Sequence, residues 1–374
     1  MMFSTFFASL LLANLAFAHP RDETKICKDY TIPLTVTSGN YIWGLPNLET
    51  DYDVTTFTTN LSRWDANVSF HPVSGFSPQV TASYKIAGTF CTPNKGSSNT
   101  VLLASHGLGF DRRYWHPEIQ SDKYSFVDHA ISKGYSVFFY DRLGVSKSSV
   151  ISGYVNQVSI QVSILEQLAT QIRAGKYSPK PPENVVLVGH SFGSVISNAL
   201  LVSNPGLVDG AVLTGISYKI PDSAVAFEAW QPRLARVQSP GRWRQLDGGY
   251  TTWVDIFANV NVFFKYPFYD RKIVEYSEAN KQPFALMEII SLAITDLHAP
   301  NFTGPVLVMS GENDLVFCNG DCTPILKAPA LEIFNVSKNL EVYVQPRSGH
   351  GINYSLNATG AFQVITNFLA SSGL

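Results

Sequence analysis

The stretch Val185-Val186-Leu187-Val188-Gly189-His190-Ser191-Phe192-Gly193-Ser194-Val195 restricts this chain more than any other. Four apolar residues read as a buried strand. A turn of the form G-x-S-x-G follows, and then apolar positions at helical spacing: Val195, Ile196, Ala199, Leu200 and Val202. A turn this sharp lifts a serine hydroxyl clear of the sheet edge only if the residues two positions either side carry no side chain. Side chains there would strike the neighbouring strand and the new helix. Gly189 and Gly193 meet that condition. The first N–H groups of the helix and the positive end of its dipole would then face Ser191. The bland alternative is an ordinary strand-to-helix turn; the strand before and helix after supply the context that a nucleophile turn needs.

The rest of the chain extends this pattern. Strand Thr100–Ser105 leads into the loop 106–113 and a helical stretch near Tyr124–Lys133. Strand Tyr135–Tyr140 is followed by a helix over Ser159–Arg173, with Ile160, Ile164, Leu168 and Ile172 on one face. Ser178-Pro179-Lys180-Pro181-Pro182 breaks that helix and returns the chain to the serine-bearing strand. Strand Gly210–Thr214 comes after it. Strands alternating with helices predict a mostly parallel sheet covered on both faces, an α/β fold. The alternation stops over 217–302, an aromatic and helix-like segment with no clear buried strand, and resumes at Pro305–Ser310, Glu341–Gln345 and a closing helix Ala361–Leu369. The expected organisation is a leader over 1–18, an N-terminal extension over 19–79 with short β-type runs (Thr31–Val36, Val54–Thr59), core segments over 80–216 and 303–374, and an inserted helical cap over 217–302. With 374 residues, 45% of them hydrophobic, the chain can bury one large core plus such an insertion.

A hydroxyl is a weak nucleophile at neutral pH and needs a base, which in turn needs a group to orient it. Both candidates lie just past strands that follow the cap. The strand ending at Ser310 runs into Gly311-Glu312-Asn313-Asp314, and Asp314 is the candidate acid, ahead of Glu312 and Asp321. The strand ending at Gln345 runs into Arg347-Ser348-Gly349-His350-Gly351, and His350 is the candidate base. His190 is a poor rival, since a side chain adjacent to Ser191 cannot readily curl back onto it. An oxyanion needs two backbone N–H donors. Phe192 supplies one, and Leu108, in the loop His106-Gly107-Leu108-Gly109-Phe110, is expected to supply the other.

The net charge of −2 gives no electrostatic case for binding nucleic acid or a polybasic attraction to membranes. The apolar run of residues 1–18, ending with Ala16 and Ala18, reads as a cleaved secretory signal, so no membrane anchor is expected after cleavage. Sequons at Asn60, Asn67, Asn301, Asn335, Asn353 and Asn357 agree with export and glycosylation. Of the three ways to pair four cysteines, Cys27–Cys91 and Cys318–Cys322 are the expected disulfides. Partner ligands at metal spacing are not seen, so no metal is expected.

Taken together, His106-Gly107-Leu108, Tyr140-Asp141-Arg142-Leu143-Gly144 with Ser146 and Ser148, Gly189–Gly193, Gly311–Asp314 and Gly349-His350 resemble the motifs of a serine hydrolase of the α/β-hydrolase superfamily, in the branch with a helical cap between the sixth and seventh core strands. The resemblance covers roughly residues 80–374. It implies an acyl-enzyme mechanism without a cofactor, and a structural role for Asp141-Arg142. The leader, sequons and extension also resemble secreted hydrolases of filamentous fungi. Epoxide hydrolases and dehalogenases carry aspartate at the elbow, where this chain has Ser191. The expected function is a secreted carboxylic ester hydrolase acting on a small substrate with an apolar acyl group. A lactonase, thioesterase, peptidase or acyltransferase would use the same three residues, and an inactive binding module is the alternative from another class.

Overall fold

The computed structural model describes residues 24–63, 70–96, 99–219 and 224–374. The segment read as a secretory signal and the sequon at Asn67 lie outside them.

Eleven strands are present among the described residues. In chain order they are β1 (Lys25–Trp43), β2 (Val73–Pro93), β3 (Thr100–Ser105), β4 (Ser136–Tyr140), β5 (Asn184–His190), β6 (Gly210–Thr214), β7 (Arg233–Leu234), β8 (Tyr250–Thr252), β9 (Phe284–Ala285), β10 (Val306–Gly311) and β11 (Leu340–Gln345). Eight of them form one sheet in the order β1-β2-β4-β3-β5-β6-β10-β11. The pairings β1–β2 and β2–β4 are antiparallel, and the rest are parallel. This is the α/β-hydrolase fold that the motifs implied. Every residue of β3, β4, β6 and β10 is buried, as expected of parallel strands with helices on both faces. The helix Val158–Arg173 buries Ile160, Ile164, Leu168 and Ile172 together, the stripe that its spacing predicted.

The N-terminal segment departs from expectation. It does not merely decorate the core. β1 and β2 form one long hairpin whose antiparallel register runs from Lys25↔Pro93 to Trp43↔Val73, and β2 pairs with β4, so the hairpin is the edge of the main sheet. Cys27 and Cys91 sit directly opposite one another in that register and are bonded; Cys318 is bonded to Cys322. The run Val54–Thr59, read as β-type, lies inside a helix, Asp51–Ser62. Thr50 and Asp53 cap its start reciprocally. The hydroxyls of Thr55, Thr56, Thr58 and Thr59 each donate to the carbonyl four residues back. Capping, and burial of Val54 and Phe57, override the strand preference of threonine and valine.

Between β6 and β10 the chain is mostly helical, with helices Ala224–Trp230, Ile256–Phe263, Arg271–Ala279 and Leu286–Ala293 among others. It also carries the three-stranded sheet β7-β8-β9, which sequence reading missed. Strands of two or three residues are too short for an alternating pattern to register.

Candidate active site

β5 ends at His190, and the chain turns at Ser191 directly into the helix Phe192–Ser203. Ser191 has φ 53° and ψ −120°, a backbone conformation that side chains rarely adopt. The two glycines are required here by close approach. A Cβ at Gly193 would lie 2.0 Å from the Ser105 carbonyl oxygen, and one at Gly189 would lie 2.5 Å from Ser194 Cα. The strain is held by the neighbours: the Ser191 N–H donates to Thr214 O at 2.8 Å, and Ser194 Oγ donates to the same carbonyl at 2.7 Å.

His350 lies in the loop after β11. Its Nε2 is 2.8 Å from Ser191 Oγ, and its Nδ1 is 2.7 Å from Asp314 Oδ2. A carboxylate only accepts, so Nδ1 carries the proton and the Nε2 lone pair faces the serine hydroxyl. Asp314 caps the short helix Leu315–Cys318, and its Oδ1 accepts the Phe317 N–H at 3.0 Å. The Cys318–Cys322 bond closes the turn behind it. Asp314 and His350 are both essentially sealed from solvent, while Ser191 is 8% exposed. The competing carboxylates go elsewhere: Glu312 accepts the Arg347 N–H at 2.7 Å, and Asp321 is exposed and accepts the Thr323 N–H at 3.0 Å. His190 is buried and stacks on Tyr114 with ring centroids 4.3 Å apart. Burial, helped by the neighbouring His350, holds its ring well below the usual histidine range, so it stays neutral.

Leu108 lines the same cavity as Ser191. Among the described residues, neither the Leu108 N–H nor the Phe192 N–H is engaged by another acceptor. One buried side chain organises both. Arg142 donates through Nε to the His106 carbonyl at 3.1 Å and through Nη2 to the Gly107 carbonyl at 3.3 Å, and its guanidinium lies 4.6 Å over the Phe192 ring. The Gly107 carbonyl belongs to the same planar peptide as the Leu108 N–H, so holding one aims the other. His106 is locked as well. The Arg142 N–H donates to its Nε2 at 3.0 Å, which leaves Nδ1–H to donate to Gly107 O at 2.9 Å. Arg142 of the Asp141-Arg142 segment thus fixes the loop that carries Leu108.

Arg142 pairs in turn with Glu288, on the cap helix Leu286–Ala293, with both side chains fully buried. Glu288 also accepts Gln161 Nε2 at 3.1 Å and the Ala285 N–H at 3.0 Å. Sequence reasoning missed Glu288. The usable signal was a lone carboxylate in the apolar run Leu-Met-Glu-Ile-Ile-Ser-Leu-Ala, which can be buried only if paired.

The cavity beside Ser191 measures about 240 Å³. Its walls come from the cap (Phe227, Trp230, Ile289, Leu292) and from Val316 and Phe317 after β10, and no charged side chain lines it among the described residues. A larger cavity of about 390 Å³ lies elsewhere, around Asp111, Arg112, Arg113 and Asp141. Two ion pairs lie in its wall, Arg113 with Asp111 and Arg112 with Asp141. No cluster of three or more potential metal ligands occurs among the described residues.

Of the sequon asparagines, Asn301, Asn335 and Asn357 are exposed and Asn60 is half-buried. Asn353 is a correction. It is 2% exposed, with its amide donating to the Tyr114 carbonyl, and cannot carry a glycan in the folded protein.

A sequence profile described as "Alpha/beta hydrolase family" matches residues 101–359. No curated protein matches the chain. Solved structures similar in fold include an enol-lactonase from Burkholderia xenovorans LB400 (17% identity, TM-score 0.54, covering 77% of this chain and 97% of that one). Others are a thermophilic esterase from Thermogutta terrifontis (16%, 0.53, 77% and 94%) and a carboxylesterase structure from the thaumarchaeon Nitrososphaera gargenis (16%, 0.52, 78% and 96%). At these identities the likeness is one of fold.

Proposed function

The chain belongs to the alpha/beta hydrolase family, and we propose that it is a secreted serine esterase that cleaves uncharged, apolar carboxylic esters. The observation that carries this reading is the hydrogen-bonded chain from Ser191 Oγ through His350 to Asp314, at 2.8 and 2.7 Å. His350 Nε2 takes the hydroxyl proton as Ser191 Oγ bonds to the ester carbonyl carbon. Asp314 steadies the imidazolium that forms. The Leu108 and Phe192 N–H groups receive the charge on the carbonyl oxygen. His350 returns its proton to the departing alkoxide, which leaves as the alcohol. Water, deprotonated by His350, then attacks the acyl-serine; the carboxylic acid departs and the hydroxyl is restored. No step calls on a cofactor.

The apolar lining of the cavity supports an acyl or alcohol group without charge. The leader-like start, the sequons and the two disulfides support export, and on them rests the resemblance to secreted fungal hydrolases. The same machinery would open a lactone or thioester, so the assay is a panel of p-nitrophenyl esters, lactones, thioesters and peptide amides. Ser191→Ala should lower ester kcat by about 10⁴-fold or more with the fold intact, and a fluorophosphonate should label wild type alone. Equal turnover by both proteins would remove the proposal.

A further inference from the structure

The long β1–β2 hairpin contains a helix, Asp51–Ser62, that lies N-terminal to the family match at 101–359. The similar solved structures cover 77–78% of this chain while being matched over 94–97% of their own length. Somewhat under a quarter of this chain is therefore additional to the shared domain. The helix is firmly seated. Phe57 packs against Trp43 and Phe70, and Leu48 N–H donates to the buried-side Tyr154 hydroxyl at 2.6 Å. It is also tied to the cap at both ends. At its start, Asp51 Oδ1 accepts the Leu234 N–H at 2.8 Å and Glu49 accepts Arg236 Nη2 at 2.6 Å. At its end, Glu228 of the cap helix Ala224–Trp230 accepts Ser62 Oγ at 2.8 Å and Arg63 through two nitrogens at 2.5 and 3.1 Å.

The last residues of this helix, Leu61 and Ser62, line the cavity that holds Ser191. The Ser62 hydroxyl is turned to Glu228, which leaves Leu61 as the apolar surface that a substrate meets, facing Phe227 and Trp230. We propose that the helix Asp51–Ser62 is a specificity element of this pocket: Leu61 limits the length of the acyl group, and the Glu228 bridge to Ser62 and Arg63 holds that wall against the cap. The proposal rests on the esterase reading. In an apolar pocket one methylene more or less is worth roughly 10–200-fold in kcat/KM, so a wall residue reports itself in selectivity.

The test uses p-nitrophenyl acetate, butanoate and octanoate with wild type, Leu61→Trp, Leu61→Ala and Glu228→Ala. The readout is the octanoate-to-acetate ratio of kcat/KM within each protein, which cancels any general loss of activity or folded fraction. Leu61→Trp should lower the ratio about tenfold and Leu61→Ala should raise it. Glu228→Ala should flatten the chain-length profile with little change in Tm, because a solvent-exposed ion pair contributes little to stability. Ratios equal to wild type in both Leu61 variants overturn the proposal while leaving the esterase intact. Absence of Ser191-dependent turnover in wild type overturns the esterase reading itself, and the wall with it.

Discussion

At the residue scale, Arg142 sits between two demands. It faces the carbonyls of His106 and Gly107 on one side and Glu288 on the other, fully buried. Removing one partner of a buried pair leaves the other charge uncompensated, which typically costs 3–5 kcal/mol. Glu288→Gln is the milder change, since the amide oxygen can still accept from Arg142. With the guanidinium held less firmly, the Gly107–Leu108 peptide keeps the His106 Nδ1 contact but loses part of its second anchor. Loss of an oxyanion donor typically costs 10²–10³ in kcat, so loosening one should lower kcat by roughly 10- to 100-fold and leave KM within about twofold. Steady-state kinetics on the folded variant check this. A Tm drop without a kcat change would make the pair purely structural. The residues that carry the proposed chemistry were legible because each stands at a strand end in a short, turn-rich motif. Glu288 was not, because its meaning depends on an arginine 146 positions away.

At the element scale, the two disulfides brace different things. Cys27–Cys91 spans 64 residues and pins the sheet's edge hairpin; Cys318–Cys322 spans four and closes the turn behind Asp314. Chain-entropy arguments assign roughly 4 kcal/mol to the long closure and roughly 2 kcal/mol to the short one. Replacing Cys27 and Cys91 with serine should therefore cost more stability in urea unfolding and leave kcat near wild type. Replacing Cys318 and Cys322 should cost less stability and more kcat, because the acid's loop is freed. Both pairings were anticipated from the sequence. The helix Asp51–Ser62 was not, since threonine-rich stretches advertise strands and only the Thr50–Asp53 cap argues otherwise. The parallel strands were easy to read because burial on both faces makes them continuous apolar runs. The cap's three short strands were invisible for want of length.

For the molecule as a whole, buried carboxyls shape the pH response: burial raises the pKa of both Glu288 and Asp141. Asp141 is 1% exposed, and its pKa is pushed up to about 6, chiefly by burial, with Arg112 opposing. The unfolded chain's carboxyl titrates near 4, so the folded protein binds that proton more tightly. The resulting stability is fully present below about pH 4 and is lost as pH rises through about 6, a change of roughly 2–3 kcal/mol. Asp141→Asn removes the titration along with some accepted hydrogen bonds. The latter offset is independent of pH, so the slope of Tm between pH 4 and 7 should flatten even if Tm itself falls. An unchanged slope would mean that Asp141 does not titrate in this range.

The uncharged lining of the cavity beside Ser191 has a consequence for turnover. If the proposed esterase reading holds, hydrolysis converts a neutral guest into an anion in a cavity that no charged side chain lines among the described residues. The carboxylate would meet the neutral Leu108 and Phe192 N–H donors but no charged side chain of the cavity lining, and a carboxylate without a charge partner is costly to keep out of water, so on that reading the acid leaves readily. An esterase with this cavity should be hindered far less by accumulating acid than by a neutral look-alike of the same shape, which product-inhibition kinetics would check.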